Sequence, residues 1–379
     1  MRCIRAAPRG LPRAELRASR YGASAARRAA QPQQPPLCRS HAALAALAEP
    51  SAPPPALWGP RPAGSHPAAY DPDPPFSALP ALNDPLLCAR LLGSGAADTG
   101  SRRTRLGTDA DAEAAAFAGE HVYARLCRAV ARERCVDAKE LVEALELYHR
   151  IRRRLRRRTV VDLACGHGLL GLLFGALERD VERVLLLDAR QTASHAPLLR
   201  AVATVAPWLP AKVTFLQADL RRLPGGADAE LAAGGAAVVA PRHAGMRRVT
   251  GAPVLLSERD ETEAAAAELR HMPPGSAGFV ALHACGALTD VCFGIAAAAR
   301  GPVAALPCCY TGTSAGAPTA LRRALGVSLA ADVARVYRLE DAGFTADFVA
   351  VPSRATPMNR GIVAVPRREG AAAAQDGTQ

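Results

Sequence analysis

Aromatic residues make up only 4% of this 379-residue chain, while alanine, arginine, glycine and proline are used heavily. That pattern has the look of a base-composition bias, so alanine runs carry little weight as helix signals. No stretch of about 18 uninterrupted apolar residues occurs, so no membrane-spanning helix is expected. No apolar core of about 7–15 residues follows the start, which argues against a secretory signal. The ten cysteines show neither a small-domain disulfide framework nor any paired C-x-x-C spacing. Four of them fall close to expected strand ends, a distribution that fits free thiols in a reducing compartment. Lysine is absent from the first 69 residues, which hold ten arginines against Glu15 and Glu49. That leader contributes +8 of the formal net charge of +12, so the basic balance of the whole chain says little about nucleic-acid binding by the remainder.

What is present divides into regions. Residues 1–80 are rich in Arg, Ala, Ser and Pro, and Arg2, Arg5, Arg9, Arg13, Arg17 and Arg20 recur every three or four residues. An acid-poor start of this kind reads as an unpacked organellar transit peptide, plastid ahead of mitochondrion, with a cytoplasmic protein carrying an arginine-biased tail as the alternative. Residues 109–157 are expected to be helical. One apolar stripe runs through Phe117, Val122, Leu126, Ala129 and Val130, and a second through Leu141, Leu145, Tyr148, Ile151 and Leu155. Asp137 and Glu140 have the spacing of a capping pair. The second helix ends in a run of arginines from Arg150 to Arg158, read either as a solvated face or as a phosphate-contacting patch.

The chain is organised around Thr159-Val-Val-Asp-Leu-Ala-Cys-Gly-His-Gly-Leu-Leu-Gly171, a buried strand, a glycine turn and a helix start. The acid-x-small-x-Gly-x-Gly core from Asp162 to Gly168 suits an S-adenosylmethionine (SAM) loop. Gly166-His-Gly168-Leu-Leu-Gly171 also fits the G-x-G-x-x-G of dinucleotide folds. Either ligand calls for an acid after the second strand, and Asp188 supplies it. A carboxylate at Asp162, inside the first strand, suits a ligand ammonium and has no use beside a pyrophosphate.

From Thr159 onward strands are expected at 159–164, 183–188, 212–217, 278–283, 302–306, 344–351 and 360–365. Helices are expected at 169–177, 195–206, 260–271, 287–299, 315–325 and 330–342. This alternation predicts an α/β fold, a doubly wound, seven-stranded Rossmann-like sheet, over residues 158–366, with an N-terminal helical extension. The short link 352–359 predicts an antiparallel last strand. The Gly- and Ala-rich stretch 221–257 reads as a flexible insertion in which Val254–Leu256 makes at most a small element, and 367–379 as an unpacked tail.

Ligands of open α/β sheets bind outside the carboxyl ends of the strands. The cofactor residues expected there are Asp162, Ala164, Cys165, Gly166, His167, Gly168, Asp188, Asp219 and Leu220, with His283 at the pocket wall. His283 is also the candidate general base, its alternative being a purely lining role. Cys285 and Cys308 are candidate nucleophiles or else small buried cysteines, and Tyr310 joins them at the rim. A zinc site from His283, Cys285, Cys308 and Cys309 has suitable ligand types but not the paired spacing, so no metal is assigned.

The stretches Asp162-Leu-Ala-Cys-Gly-His-Gly168, Leu282-His-Ala-Cys-Gly-Ala-Leu-Thr-Asp290, Pro307-Cys-Cys-Tyr310 and Thr356-Pro-Met-Asn-Arg360 together resemble a family of SAM-dependent methyltransferases. That family is related to the tRNA ribose 2′-O-methyltransferases that carry a His-x-Cys-Gly and a Cys-Cys pair. The resemblance covers roughly 140–366 and implies a class I fold, SAM as methyl donor, and an RNA or small-molecule acceptor. The family often has glycine where Ala164 stands. No Asn/Asp-Pro-Pro-aromatic stretch follows the fourth strand, which counts against adenine or glutamine nitrogen as the acceptor. Two rival functions remain at this point: an NAD-dependent oxidoreductase on the same loop, and a non-catalytic SAM-fold RNA-binding or assembly factor.

Overall fold

A computed structural model describes residues 70–93, 106–226, 261–310 and 316–367. The transit-peptide reading therefore lies outside the described residues, as do most of the 221–257 segment, with Val254–Leu256, and the tail beyond 367. In chain order the helices and strands are α1 (Pro85–Leu92), α2 (Ala110–Ala116), α3 (Val122–Glu133), α4 (Ala138–Leu155), β1 (Thr159–Leu163), α5 (Leu169–Leu177), β2 (Arg183–Asp188), α6 (His195–Ala203), β3 (Val213–Gln217), α7 (Thr262–His271), β4 (Ala277–Leu282), α8 (Leu288–Ala298), β5 (Val303–Leu306), α9 (Thr319–Asp341), β6 (Phe344–Ala350) and β7 (Arg360–Pro366). Among the described residues no helix is long and apolar enough to cross a membrane.

The seven strands form one sheet in the order β3-β2-β1-β4-β5-β7-β6. β1 to β5 pair in parallel, and β7 lies antiparallel between β5 and β6. The reversal of strand order between β1 and β4 is a topological switch point, where the carboxyl ends of adjacent strands open a crevice. β1, β2, β4 and β5 are covered on both faces, so their Val, Leu and Ala runs are almost wholly buried.

The helical extension is part of this layered body. α4 carries the whole Leu141–Leu145–Tyr148–Ile151–Leu155 stripe at 0–1% exposure, and its Asp137–Glu140 pair closes a reciprocal N-terminal cap. Its far end packs on the start of β4 so closely that a Cβ at Gly278 would sit 1.9 Å from the Leu155 carbonyl oxygen. An 18-residue helix spans about 27 Å. It therefore reaches from the amino ends of the strands back to the rim where the strands finish.

Three expectations need correction. The unpacked leader does not extend to residue 80: Phe76, Ala78, Leu79 and Leu82 are buried at 0–2% exposure. The cause is a charged anchor not visible in local sequence, since Glu146 Oε1 accepts hydrogen bonds from the backbone N–H groups of Ser77, Ala78 and Leu79 at 3.0, 2.8 and 3.3 Å. The insertion does not begin at 221. Residues 220–222 form a 3-10 turn, and Gly225 packs on α8, a Cβ there falling 2.3 Å from the Gly294 carbonyl oxygen. The two helices expected at 315–325 and 330–342 are one segment, α9, kinked at Gly326 with φ +77°.

Candidate functional site

The loop after β1 is a run of left-handed backbone, with φ +54° at Ala164, +57° at Gly166 and +84° at Gly168. Glycine adopts such angles freely and alanine only at a cost. The two glycines do different work. A Cβ at Gly168 would meet Leu186 Cδ1 at 2.7 Å, so that residue is fixed by packing, whereas a Cβ at Gly166 would meet no atom within 4 Å. The loop thus leaves open space against bare backbone at Gly166.

Hydrogen bonds from neighbouring strand ends hold this shape. The Cys165 N–H donates to the Leu187 carbonyl at 3.2 Å. The Gly166 N–H donates to Asp188 Oδ2 at 2.9 Å, and the Arg190 N–H to Asp188 Oδ1 at 3.1 Å. Asp188 is half-buried at the end of β2, and the Ala218 N–H beyond β3 donates to its carbonyl at 2.9 Å. The Cys165 thiol is buried, which pushes its pKa well up. Asp219 is exposed and caps the following turn through the Arg221 N–H at 3.1 Å, and Leu220 is buried beneath it.

Asp162 is only 1% exposed. Its Oδ2 accepts from the Gly171 N–H in the first turn of α5 at 2.8 Å, and its Oδ1 is buried without a partner. Burial, with a smaller push from Asp188, drives its pKa up to about 7 despite the Gly171 bond. A buried carboxylate with a vacant lone pair beside a glycine loop is poised for a cationic group.

Two histidines and two glutamates meet at this rim. His167 Nδ1 accepts from the Leu169 N–H at 3.2 Å, which leaves Nε2 as its protonated nitrogen when neutral, 3.5 Å from Glu140 Oε2. That imidazole is the main influence holding the Glu140 carboxyl below the usual range. His283, just past β4 and also left-handed at φ +65°, brings Nε2 to 3.0 Å from Glu143 Oε2. The approach is too poorly aligned to be a hydrogen bond, and the two groups attract as an ion pair only when the imidazole is protonated. Burial pulls the His283 pKa down, but the Glu143 carboxylate, helped by Glu140, more than offsets this and leaves it raised. Glu143 is 0% exposed on α4 and also lies 3.7 Å from Lys139 Nζ. Neither glutamate was singled out in the sequence beyond the capping role of Glu140. The signal was there: Glu140, Glu143 and Glu146 recur every third residue, and the last two fall at buried positions of a helix whose other buried residues are apolar or aromatic.

The loops after β4 and β5 bring three thiols together. Cys285, Cys308 and Cys309 have sulfurs all within 4.8 Å of one another, with Cys285 and Cys309 exposed and Cys308 half-buried. Cys285 Sγ is 2.7 Å from Cys308 Sγ and 3.3 Å from the His283 carbonyl. The Cys285 thiol, by hydrogen bonding to Cys308, lowers the pKa of Cys308, while Cys285 and Cys309 are raised.

Tyr310 turns elsewhere. Its hydroxyl donates to Asp332 Oδ2 at 2.8 Å, inside a network of Asp290, Asp332, Arg335, Arg338 and Arg360. Burial is the chief reason its pKa is raised. The geometry gives Tyr310 a bracing contact to α9 and Asp332. The arginine run at the end of α4 is largely paired: Arg152 and Arg156 bind Glu178 at 2.6 and 3.3 Å, Arg154 binds Asp347 at 3.3 Å, Arg158 binds Glu182 at 2.7 Å, and Arg150 pairs with Glu146. These pairings favour a structural face over a phosphate patch.

Residues 134–315 match a family described as "Methyltransferase domain", a little under half of the chain, and the match supports a methyltransferase. No curated protein matches the sequence. Among solved structures, an O-methyltransferase family protein from Burkholderia thailandensis is similar at 13% identity and a TM-score of 0.32, over 76% of this chain and 84% of its own. Likeness at that level adds nothing to the strand order, which stands by itself.

Proposed function

We propose that the protein is a SAM-dependent methyltransferase, with SAM held over the β1 loop. The observation that carries this is the pairing of an open left-handed glycine at Gly166 with two carboxylates behind it, Asp188 at the β2 end and the buried, half-satisfied Asp162. These residues fit the cofactor chemically. Bare backbone at Gly166 admits close approach, Asp188 suits ribose hydroxyls, and Asp162 suits an ammonium. The antiparallel β6–β7 pair, where a dinucleotide fold continues in parallel, and the methyltransferase-domain match favour SAM over NAD.

Bound SAM supplies an electrophilic methyl group on a sulfonium. The chain's own task is then to place an acceptor, exclude water and take a proton. His283 is the candidate base. In its neutral form, the tautomer with the proton on Nε2 toward the Glu143 carboxylate leaves Nδ1 to accept one from the acceptor. The sequence resemblance to ribose methyltransferases makes an RNA hydroxyl the first acceptor to try, although the paired arginine run lends RNA no support. Incubation of the full chain with labelled SAM and fractionated RNA, protein and metabolites tests the reading. Label in one fraction, lost in His283→Ala with SAM binding retained, is expected. No transfer to any fraction, with SAM not bound, would overturn it.

A further inference from the structure

Cys285, Cys308 and Cys309 lie outside the carboxyl ends of β4 and β5, on the side of the switch point away from the glycine loop. The chain's other described cysteines are solitary. Cys88, Cys127 and Cys292 are buried among apolar side chains and serve as small hydrophobes. The triad differs in every respect. Two of its thiols are exposed, all three converge, and they arrive from two separate loops. The backbone holds those loops in register, the His283 N–H donating to the Leu306 carbonyl at 3.1 Å and the Gly286 N–H to the Cys309 carbonyl at 3.4 Å.

We propose that Cys285, Cys308 and Cys309 form a three-thiolate site for Zn2+ with the fourth coordination position open to solvent or to an acceptor. A zinc–sulfur bond of about 2.3 Å and tetrahedral angles place sulfurs about 3.8 Å apart. The Cys285 and Cys308 sulfurs are 2.7 Å apart and all three lie within 4.8 Å of one another, so side-chain rotations that shift each sulfur by about an ångström reach that spacing. Sequence spacing assigned no metal because no C-x-x-C pair exists, but a parallel sheet brings the ends of adjacent strands together whatever their separation in the chain. His283 is not a ligand: neither of its ring nitrogens falls in the group of atoms within 4.8 Å of one another that the three sulfurs form, and its Nε2 faces Glu143. Three ligands with an open position is the arrangement of zinc sites that bind and activate a nucleophile, whereas structural zinc sites are closed by four. The metal site itself stands on the three thiols; a part in orienting the methyl acceptor rests on the reading above.

The test is cobalt(II) titration of the full chain, reduced and freed of metal by chelator. The expected result is one Co2+ per chain with thiolate-to-metal charge-transfer absorption, displaced by Zn2+ with release of protons from the thiols. A small exogenous thiol should shift the visible bands by entering the open position. Cys285→Ser, Cys308→Ser and Cys309→Ser should each weaken Zn2+ binding by about 100-fold or more, since even outer partners of a metal site are worth 10–100-fold. Cys135→Ser should leave it unchanged. SAM binding by each variant checks folding separately, and if SAM fails to bind while the cobalt spectrum persists, the cofactor reading fails and the metal site stands. Absence of the charge-transfer band in the reduced chain, its survival in Cys308→Ser, or capture of Cys285 and Cys308 as a disulfide in a chain that takes up no metal after reduction would overturn the proposal.

Discussion

Asp162→Asn should change how stability depends on pH, and the structure sets the size of the effect. An aspartate in an unfolded chain titrates near 3.9, as a rough reference, whereas burial pushes Asp162 up to about 7 in the folded protein. Below about pH 4 both states hold the proton, and the group exerts no pH-linked effect. Between about pH 4 and 7 the folded state holds the proton and the unfolded state does not, so stability falls as pH rises. Three pH units at about 1.4 kcal/mol each give a full penalty of about 4 kcal/mol above pH 7. Asparagine keeps an oxygen for the Gly171 N–H and abolishes the titration. Its own NH2, buried at the unpartnered position, costs about 1–3 kcal/mol at every pH, a constant that cancels in the comparison. Urea unfolding of both proteins at about pH 5 and about pH 7.5 should show the difference between them moving by about 2.5 kcal/mol in favour of the variant at the higher pH. Parallel profiles, within about 0.5 kcal/mol, would refute a neutralised buried carboxylate at this position. SAM affinity should fall in the same variant, because asparagine cannot ionise to pair with a ligand ammonium.

Other perturbations separate the roles assigned here. Gly166→Ala should cost only about 1 kcal/mol of stability, from its left-handed φ, yet weaken SAM binding at least about tenfold. Gly168→Ala, which adds a clash with Leu186 to the same backbone strain, should cost about 2–4 kcal/mol by thermal unfolding. Glu146→Ala should destabilise the fold by about 3–5 kcal/mol and expose the Phe76–Leu82 segment to limited proteolysis, since it strips a buried carboxylate from three backbone donors and Arg150. Glu143→Gln should lower the methyl-transfer kcat by about 10–100-fold with the SAM dissociation constant unchanged; equal loss in both would mark Glu143 as structural.

Much of the fold was legible because its strands are short apolar runs closed by turn residues, each followed by a helical stripe. Register along the chain was enough to place Asp162, Asp188, His283 and the cysteines at one rim, since a parallel sheet puts all its carboxyl strand ends together. What escaped was set by contacts remote in sequence. Glu143 looks like one more polar residue on an amphipathic helix until the rim brings His283 beside it. The order of residues 76–82 depends on a carboxylate nearly 70 positions away. Tyr310 follows two site cysteines, yet its ring turns toward Asp332 on α9, which the strand pattern had no means to show. Ala164 stands where the resembling family often has glycine, and its φ of +54° shows why glycine is common there.

The central claim is that the β1 loop, Asp162 and Asp188 form a cradle for SAM. Isothermal titration of the full chain with SAM and, separately, with NAD tests it most directly. The account predicts one SAM bound per chain, weakened in both Asp188→Ala and Gly166→Ala, with no heat from NAD; saturable NAD binding with no response to SAM would contradict it.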